Sequence, residues 1–161
     1  MTLNLQKNHK ILYLGNDHGG VNLRDAVYRA AQITDYQVVD FGVSSAEESV
    51  DYPDYVKKVA AALIEDQGFD GRESYGILLC GTGIGMSIAA NRFPQIRAAL
   101  CHIKLEAQVA KEHNNANILC FGGRVITPET AQDLIITFLS SSFEGGRHQR
   151  RLDKINYLCD F

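Results

Sequence analysis

Short apolar runs alternate along the chain with segments whose apolar residues recur every three or four positions. The runs Ile11–Leu14, Val38–Phe41, Gly76–Cys80, Arg97–Cys101 and Ile118–Phe121 read as strands. Leu23, Ala26, Val27, Ala30 and Ile33 mark a first helix at helical spacing. Pro53 stands near the start of a second helix reaching about Glu65, a position where proline costs no hydrogen bond. Further helices are predicted at Ile84–Asn91, Leu105–Glu112 and Pro128–Leu139, with a last one from about Gly146 to Leu158. Ser44–Tyr52 and Asp66–Ser74 read as polar loops. Repeated strand-then-helix units imply parallel strands covered on both faces. The expected architecture is therefore α/β, a three-layer Rossmann-like sandwich around a five-stranded parallel sheet.

Length and composition narrow this picture. With 161 residues and 45% hydrophobic content the chain can bury a full core, and no linker, repeat or low-complexity segment divides it. We expect one domain over residues 1–161, with 1–10 as an N-terminal extension and 144–161 as a C-terminal helical segment. A net charge of −3 argues against a nucleic-acid surface. Apolar runs all fall short of the roughly 18 residues a membrane span needs. The polar start, Met1 to Lys10, lacks a signal-peptide pattern, so a cytoplasmic location is expected. Cys80, Cys101, Cys120 and Cys159 form no C-x-x-C pair; Cys101, Cys120 and Cys159 read as reduced, small hydrophobic residues. Neither they nor the five histidines have metal-ligand spacing, so no metal and no cofactor are expected.

The chemistry concentrates in the stretch Gly76-Ile-Leu-Leu-Cys-Gly-Thr-Gly-Ile-Gly-Met-Ser87. It reads as a buried strand, a tight glycine turn and a helix start, which puts Cys80 at the carboxyl end of a strand, where open α/β sheets bind ligands. Its glycines fail the dinucleotide pattern at Met86 and Ile88, and the Gly15–Gly20 loop lacks the lysine and hydroxyl of a triphosphate loop. What remains is a thiol beside backbone N–H groups that suit a developing oxyanion. Asp17 and His18 follow the first strand, at the same sheet edge; Asp17 can equally be a helix cap. Taken alone, His113 reads as a cation favoured at a helix C-terminus, with Asn114 or Asn115 as cap. Arg147 and Arg151, four apart at a helix start, oppose the helix dipole unless an anion is bound there. Arg124, after Gly122-Gly123, is a further anion-binding candidate. This inventory suits proton abstraction alpha to a carbonyl in a small phosphorylated molecule.

These motifs occur together and in order: Gly15-Asn-Asp-His-Gly, Asp51-Tyr-Pro53, Cys80-Gly-Thr-Gly-Ile-Gly85, Ala89-Ala-Asn91, Glu112-His-Asn-Asn115, Phe121-Gly-Gly-Arg124 and Gly145-Gly-Arg-His-Gln149. In this the chain resembles the type B ribose-5-phosphate isomerases, the family that includes the galactose-6-phosphate isomerase subunits. The resemblance implies a metal-independent aldose–ketose isomerase acting through a cis-enediolate. It implies Cys80 as the base, Thr82 as the group assisting proton exchange between the oxygens, and His113 as the acid that opens the sugar ring. It further implies Gly81, Gly83, Ile84 and Gly85 as the enediolate nest, Asn114 beside His113, Asp17 and His18 on the sugar, and Arg124, Arg147 and Arg151 on the phosphate. Some members place a glutamate base just after the glycine loop, where this chain has Met86. Asn16 stands where alanine or cysteine is more usual, and little effect is expected of it. The segment before Ile11 and the stretch 67–74 fall outside the family pattern. Members form homodimers or homotetramers with a shared site, implying that His113 and Arg124 come from the neighbouring subunit relative to Cys80. A sugar phosphate is the expected partner, with neither nucleic acid nor membrane. A hexose 6-phosphate (allose or galactose type) is the alternative substrate, and a non-catalytic sugar-phosphate-binding module the alternative class.

Overall fold

The computed structural model describes residues 10–67 and 72–158. Residues 1–9, the middle of the 67–74 stretch and Cys159 lie outside the described residues, and Lys10 of the expected extension belongs to the first strand.

Five strands form one parallel sheet: β1 (Lys10–Asn16), β2 (Gln37–Asp40), β3 (Glu73–Cys80), β4 (Ala98–Leu100) and β5 (Ile118–Gly122), in the order β2-β1-β3-β5-β4. Among the described residues six α-helices accompany them: α1 (Arg24–Thr34), α2 (Tyr52–Asp66), α3 (Ile84–Ala90), α4 (Lys104–Glu112), α5 (Pro128–Ser140) and α6 (Arg147–Asn156). A 3₁₀ turn, His18–Leu23, precedes α1. Each predicted strand and helix is present. The chief difference is that β3 begins at Glu73, so Glu73 and Ser74 of the predicted loop belong to the sheet, paired with Lys10 and Ile11.

Side chains on a strand point alternately to opposite faces, so the apolar runs feed two cores. Leu12, Leu14, Ile77, Leu79, Leu119 and Phe121 pack against α1, α4 and α5. Tyr13, Leu78, Cys80, Ile118 and Cys120 face the other way, onto Val56, Val59, Ala60 and Leu63 of α2 and Met86 and Ala90 of α3. Cys80 therefore turns toward the layer from which its own glycine loop and α3 emerge. Met86 is fully buried in that layer. The edge strand β4 is shielded by Asn91, whose side chain accepts from the Ala98 N–H and donates to the Ala98 carbonyl, each at 2.9 Å. No helix among the described residues is long and apolar enough to cross a membrane.

The two ends of the strands are built differently. The strand order reverses between β1 and β3, which opens a crevice at their carboxyl ends. Toward the amino edge, Asn117 ties β3 to the starts of β4 and β5. Its carbonyl accepts from the Gly76 N–H at 2.9 Å, and its side chain accepts from Arg97 N at 2.8 Å and donates to the Gln95 carbonyl at 2.9 Å.

Candidate active site

At the carboxyl edge the turns after β1, β3 and β5 are bound into one unit. Asp17 N donates to the Leu79 carbonyl at 3.1 Å, Gly123 N to the Cys80 carbonyl at 2.8 Å, and Arg124 N to the Gly81 carbonyl at 3.0 Å. Gly19 lies so close to Gly81 that a Cβ there would stand 2.7 Å from the Gly81 nitrogen. Cys80, 5% exposed, accepts a hydrogen bond at its Sγ from Gly83 N at 3.0 Å. That N–H reaches the sulfur because Gly83 adopts φ +78°, a left-handed conformation that side chains other than glycine resist. Thr82 Oγ1, in the same turn, accepts from Ile84 N at 3.3 Å.

Asp17 does cap the 3₁₀ turn, its Oδ1 accepting from Gly19 N at 2.8 Å. His18 Nδ1 accepts from Val50 N at 3.2 Å, which leaves its Nε2 as a donor for a ligand. His18, Gly19, Asn22, Gly123 and Arg124 line a cleft of about 450 Å³, of a size for a small phosphorylated molecule. The Arg124 guanidinium lies over Gly81, with its Nη1 3.1 Å from where a Gly81 Cβ would be. Here the structure corrects the expectation that Arg124 arrives from a neighbour. β5 is hydrogen-bonded directly beside β3, so the turn after it necessarily lands on the Cys80 loop.

His113 is elsewhere. It caps the carboxyl end of α4, and Asn115 closes the helix at φ +43°. Four residues later Asn117 sits at the amino edge, paired with Gly76. Gly76 and Cys80 are four residues apart on one strand, so the two edges are separated by about 13 Å at roughly 3.3 Å per residue. One chain cannot bring His113 to Cys80. What does reach His113 is the start of α6. Glu144 N donates to the Glu112 carbonyl at 3.0 Å, and the His148 ring stacks on His113 with centroids 4.2 Å apart and planes 6° from parallel. Arg147 Nε approaches His148 Nε2 at 3.5 Å, so Arg147 and, one turn on, Arg151 lie beside the stacked histidines. No acidic residue lies in the first turn of α6 to offset them.

The predicted residues thus form two clusters. Cys80, Thr82, the glycine nest, Asp17, His18 and Arg124 share the carboxyl edge; His113, Asn114, Arg147 and Arg151 share the amino edge. His148, Glu144 and Tyr52 escaped the sequence reading. Tyr52 packs its ring on Gly85, where an added Cβ would stand 2.6 Å from the ring. The signals were present, since Tyr52 and His148 lie inside the ordered motifs, but nothing in their spacing indicated a role. The donor atoms of His113, Glu144 and His148 lie within 4.8 Å of one another. The parallel rings keep their lone pairs in separate planes, whereas tetrahedral ligation needs them to converge.

A second cleft, of about 990 Å³, runs between β4, α4 and α6, with Phe93, Ile96, Leu100, Val109 and Leu152 among its walls. It contains none of the carboxyl-edge residues and touches the amino-edge cluster only at Asn114. Apolar side chains stand exposed on several elements nearby: Ile84 and Ile88, Ile103 and Leu105, and Ile155 and Leu158.

Residues 12–155 match the Ribose/Galactose Isomerase family. Ribose-5-phosphate isomerase B of Escherichia coli (strain K12) is 40% identical over 146 residues, covering 91% of this chain and 94% of that one. A ribose 5-phosphate isomerase structure from Thermotoga maritima superposes with a TM-score of 0.85 at 46% identity, covering 94% of this chain and 100% of that one. Ribose-5-phosphate isomerase B of Clostridium thermocellum gives 0.82 at 44% identity, covering 92% and 96%.

Proposed function

We propose that this chain, which belongs to the ribose/galactose isomerase family, interconverts ribose 5-phosphate and ribulose 5-phosphate. The observation that carries the mechanism is the Cys80 sulfur, held by the Gly83 amide at 3.0 Å beside the Gly81–Gly85 turn. In the open-chain aldose the Cys80 thiolate takes the proton from C2. The electron pair moves to form the C1–C2 double bond and leaves O1 negative, facing the Gly81–Gly85 amides. Thr82 passes a proton between O1 and O2, and Cys80 returns its proton to C1 to give the ketose. Met86, buried and without a titratable group, offers no second base. The furanose must open first. The C1–O4 bond breaks, O4 takes the proton of His113, and O1 loses its proton to water as the carbonyl forms.

A second copy of the chain completes the site. One copy supplies Cys80, Thr82, Asp17, His18 and Arg124; the other supplies His113, Asn114, Arg147 and Arg151. Supporting this is the division of the chemistry between opposite edges of the sheet, together with the exposed isoleucines and leucines of α3, α4 and α6. Arg124 on one side and Arg147 and Arg151 on the other then grip the phosphate from both ends. The test is turnover of ribose 5-phosphate against allose 6-phosphate, with solvent deuterium followed into the product. Wild type is expected to prefer the pentose and to incorporate deuterium, and Cys80→Ala to lose both activities. Deuterium incorporation at wild-type rate by Cys80→Ala would remove the base assignment.

A further inference from the structure

Neither the proton transfers nor the phosphate grip, as described, uses His148, yet it is only 5% exposed and lies flat against His113. Four groups face His148: His113 at the end of α4, Glu144 before α6, and Arg147 and Arg151 on α6. Burial, then the charges of His113 and Arg147, hold the His148 imidazole below its ordinary range, and Arg151 adds to them against Glu144 alone. The Arg147 Nε–H donates to His148 Nε2 at 3.5 Å, so the ring is held at its edge as well as across its face. Glu144 Oε2 stands 3.3 Å from His148 Nε2 and 3.9 Å from His113 Nε2, so one carboxylate spans the edges of both rings.

We propose that His148 is a positioning residue for ring opening. It is the flat seat that holds the His113 ring, and its own edge is fixed by Glu144 and by Arg147 of the phosphate grip. This rests on the reading of His113 as the ring-opening acid. A structural residue of α6 would affect every step alike. A seat for His113 affects only the step that needs His113.

The substrate's own chemistry separates the two. Ribose 5-phosphate is a furanose and must be opened. Ribulose 5-phosphate carries its phosphate on the hydroxyl that would close a ring, so it is acyclic and exchanges its C1 proton through Cys80 alone. In His148→Ala, kcat on ribose 5-phosphate should fall about tenfold to a hundredfold, within the range general-acid catalysis spans. Deuterium exchange into saturating ribulose 5-phosphate should stay within about twofold, a change too small to register a lost catalytic proton transfer. His148→Phe, which restores a flat ring without the acceptor, should recover most of the lost kcat; His148→Gln, which restores the acceptor without the ring, should not. The latter two variants carry the test if His148→Ala does not fold. Equal loss of both activities, an unchanged kcat on the aldose, or a His148→Gln enzyme faster than His148→Phe would overturn the proposal. His113→Ala is the companion measurement: if it turns over ribose 5-phosphate normally, the acid assignment itself falls, whatever His148 does.

Discussion

Replacing Asn16 by alanine removes the polar centre that aligns the substrate-facing turns. Asn16 is fully buried at the end of β1. Its Nδ2 donates to the Asp17 and Val43 carbonyls, each at 2.9 Å, and its Oδ1 accepts from Arg24 Nη1 at 2.6 Å. Arg24 is itself paired with Asp40. Burial pushes that carboxyl up, but Arg24, the Gly42 amide and the Tyr28 hydroxyl outweigh it and hold the pKa low. In Asn16→Ala the Asp17 carbonyl keeps Gly20 N as a donor and Arg24 keeps Asp40, while the Val43 carbonyl loses the side-chain donor it has. Three hydrogen bonds at about 1 kcal/mol each, with one acceptor left short, give a loss of about 2–4 kcal/mol. Urea unfolding at fixed protein concentration measures it. Because Val43 opens the loop whose Val50 N–H holds His18, KM for the sugar phosphate should rise in the same variant. Asn16→Asp should be no milder, since it sets a carboxylate oxygen against two carbonyl oxygens. A double-mutant cycle with Arg24→Met should show coupling of about 0.5–3 kcal/mol. A loss under about 0.5 kcal/mol, the scatter of ordinary surface changes, would rule out a structural role for this network.

Two further outcomes are expected. Gly83→Ala places a Cβ 2.8 Å from the Phe121 carbonyl carbon at φ +78°, so backbone strain of about 1–3 kcal/mol should shift the loop and move the N–H off the Cys80 sulfur. Its kcat should drop at least about tenfold; a stable Gly83→Ala enzyme with normal kcat would argue against the sulfur contact. Burial lowers the pKa of Lys111 to about 8, where it sits over the Tyr75 and Phe138 rings. Below pH 8 the folded chain carries a partly desolvated ammonium; between pH 8 and the ordinary lysine range the unfolded chain binds the extra proton, so this group adds stability as pH rises. The stability advantage of Lys111→Met over wild type should therefore shrink from pH 7.5 to 9.5 in urea titrations, and an advantage that grew would contradict the sign.

Local signals in the sequence carried the elements. Periodicity and the placement of Pro53, Pro128 and the glycines located each strand and helix, and Cys80 was correctly put at a strand's carboxyl end. Long-range pairing was invisible. That β5 lies beside β3 decides which edge Arg124 occupies, and no spacing within Phe121-Gly-Gly-Arg124 encodes it. Asn16 was expected to matter little, because its three partners are 1, 8 and 27 residues away and one residue type says nothing about them. His148 was passed over between two arginines for a similar reason: its partner is a ring 35 positions earlier, across the end of another helix. The ambiguity of His113 also has a physical cause, since within one chain it lies at the wrong edge of the sheet.

Division of the site between two copies is tested most directly by mixing two inactive variants. Cys80→Ala and His113→Ala are unfolded together and refolded as an equimolar mixture. In a symmetric dimer, half of the molecules become heterodimers, each with one doubly damaged site and one intact site. Activity should recover to about a quarter of wild type. A site contained within one chain would leave a defect in every site, and a mixture no more active than its parents would contradict a shared site.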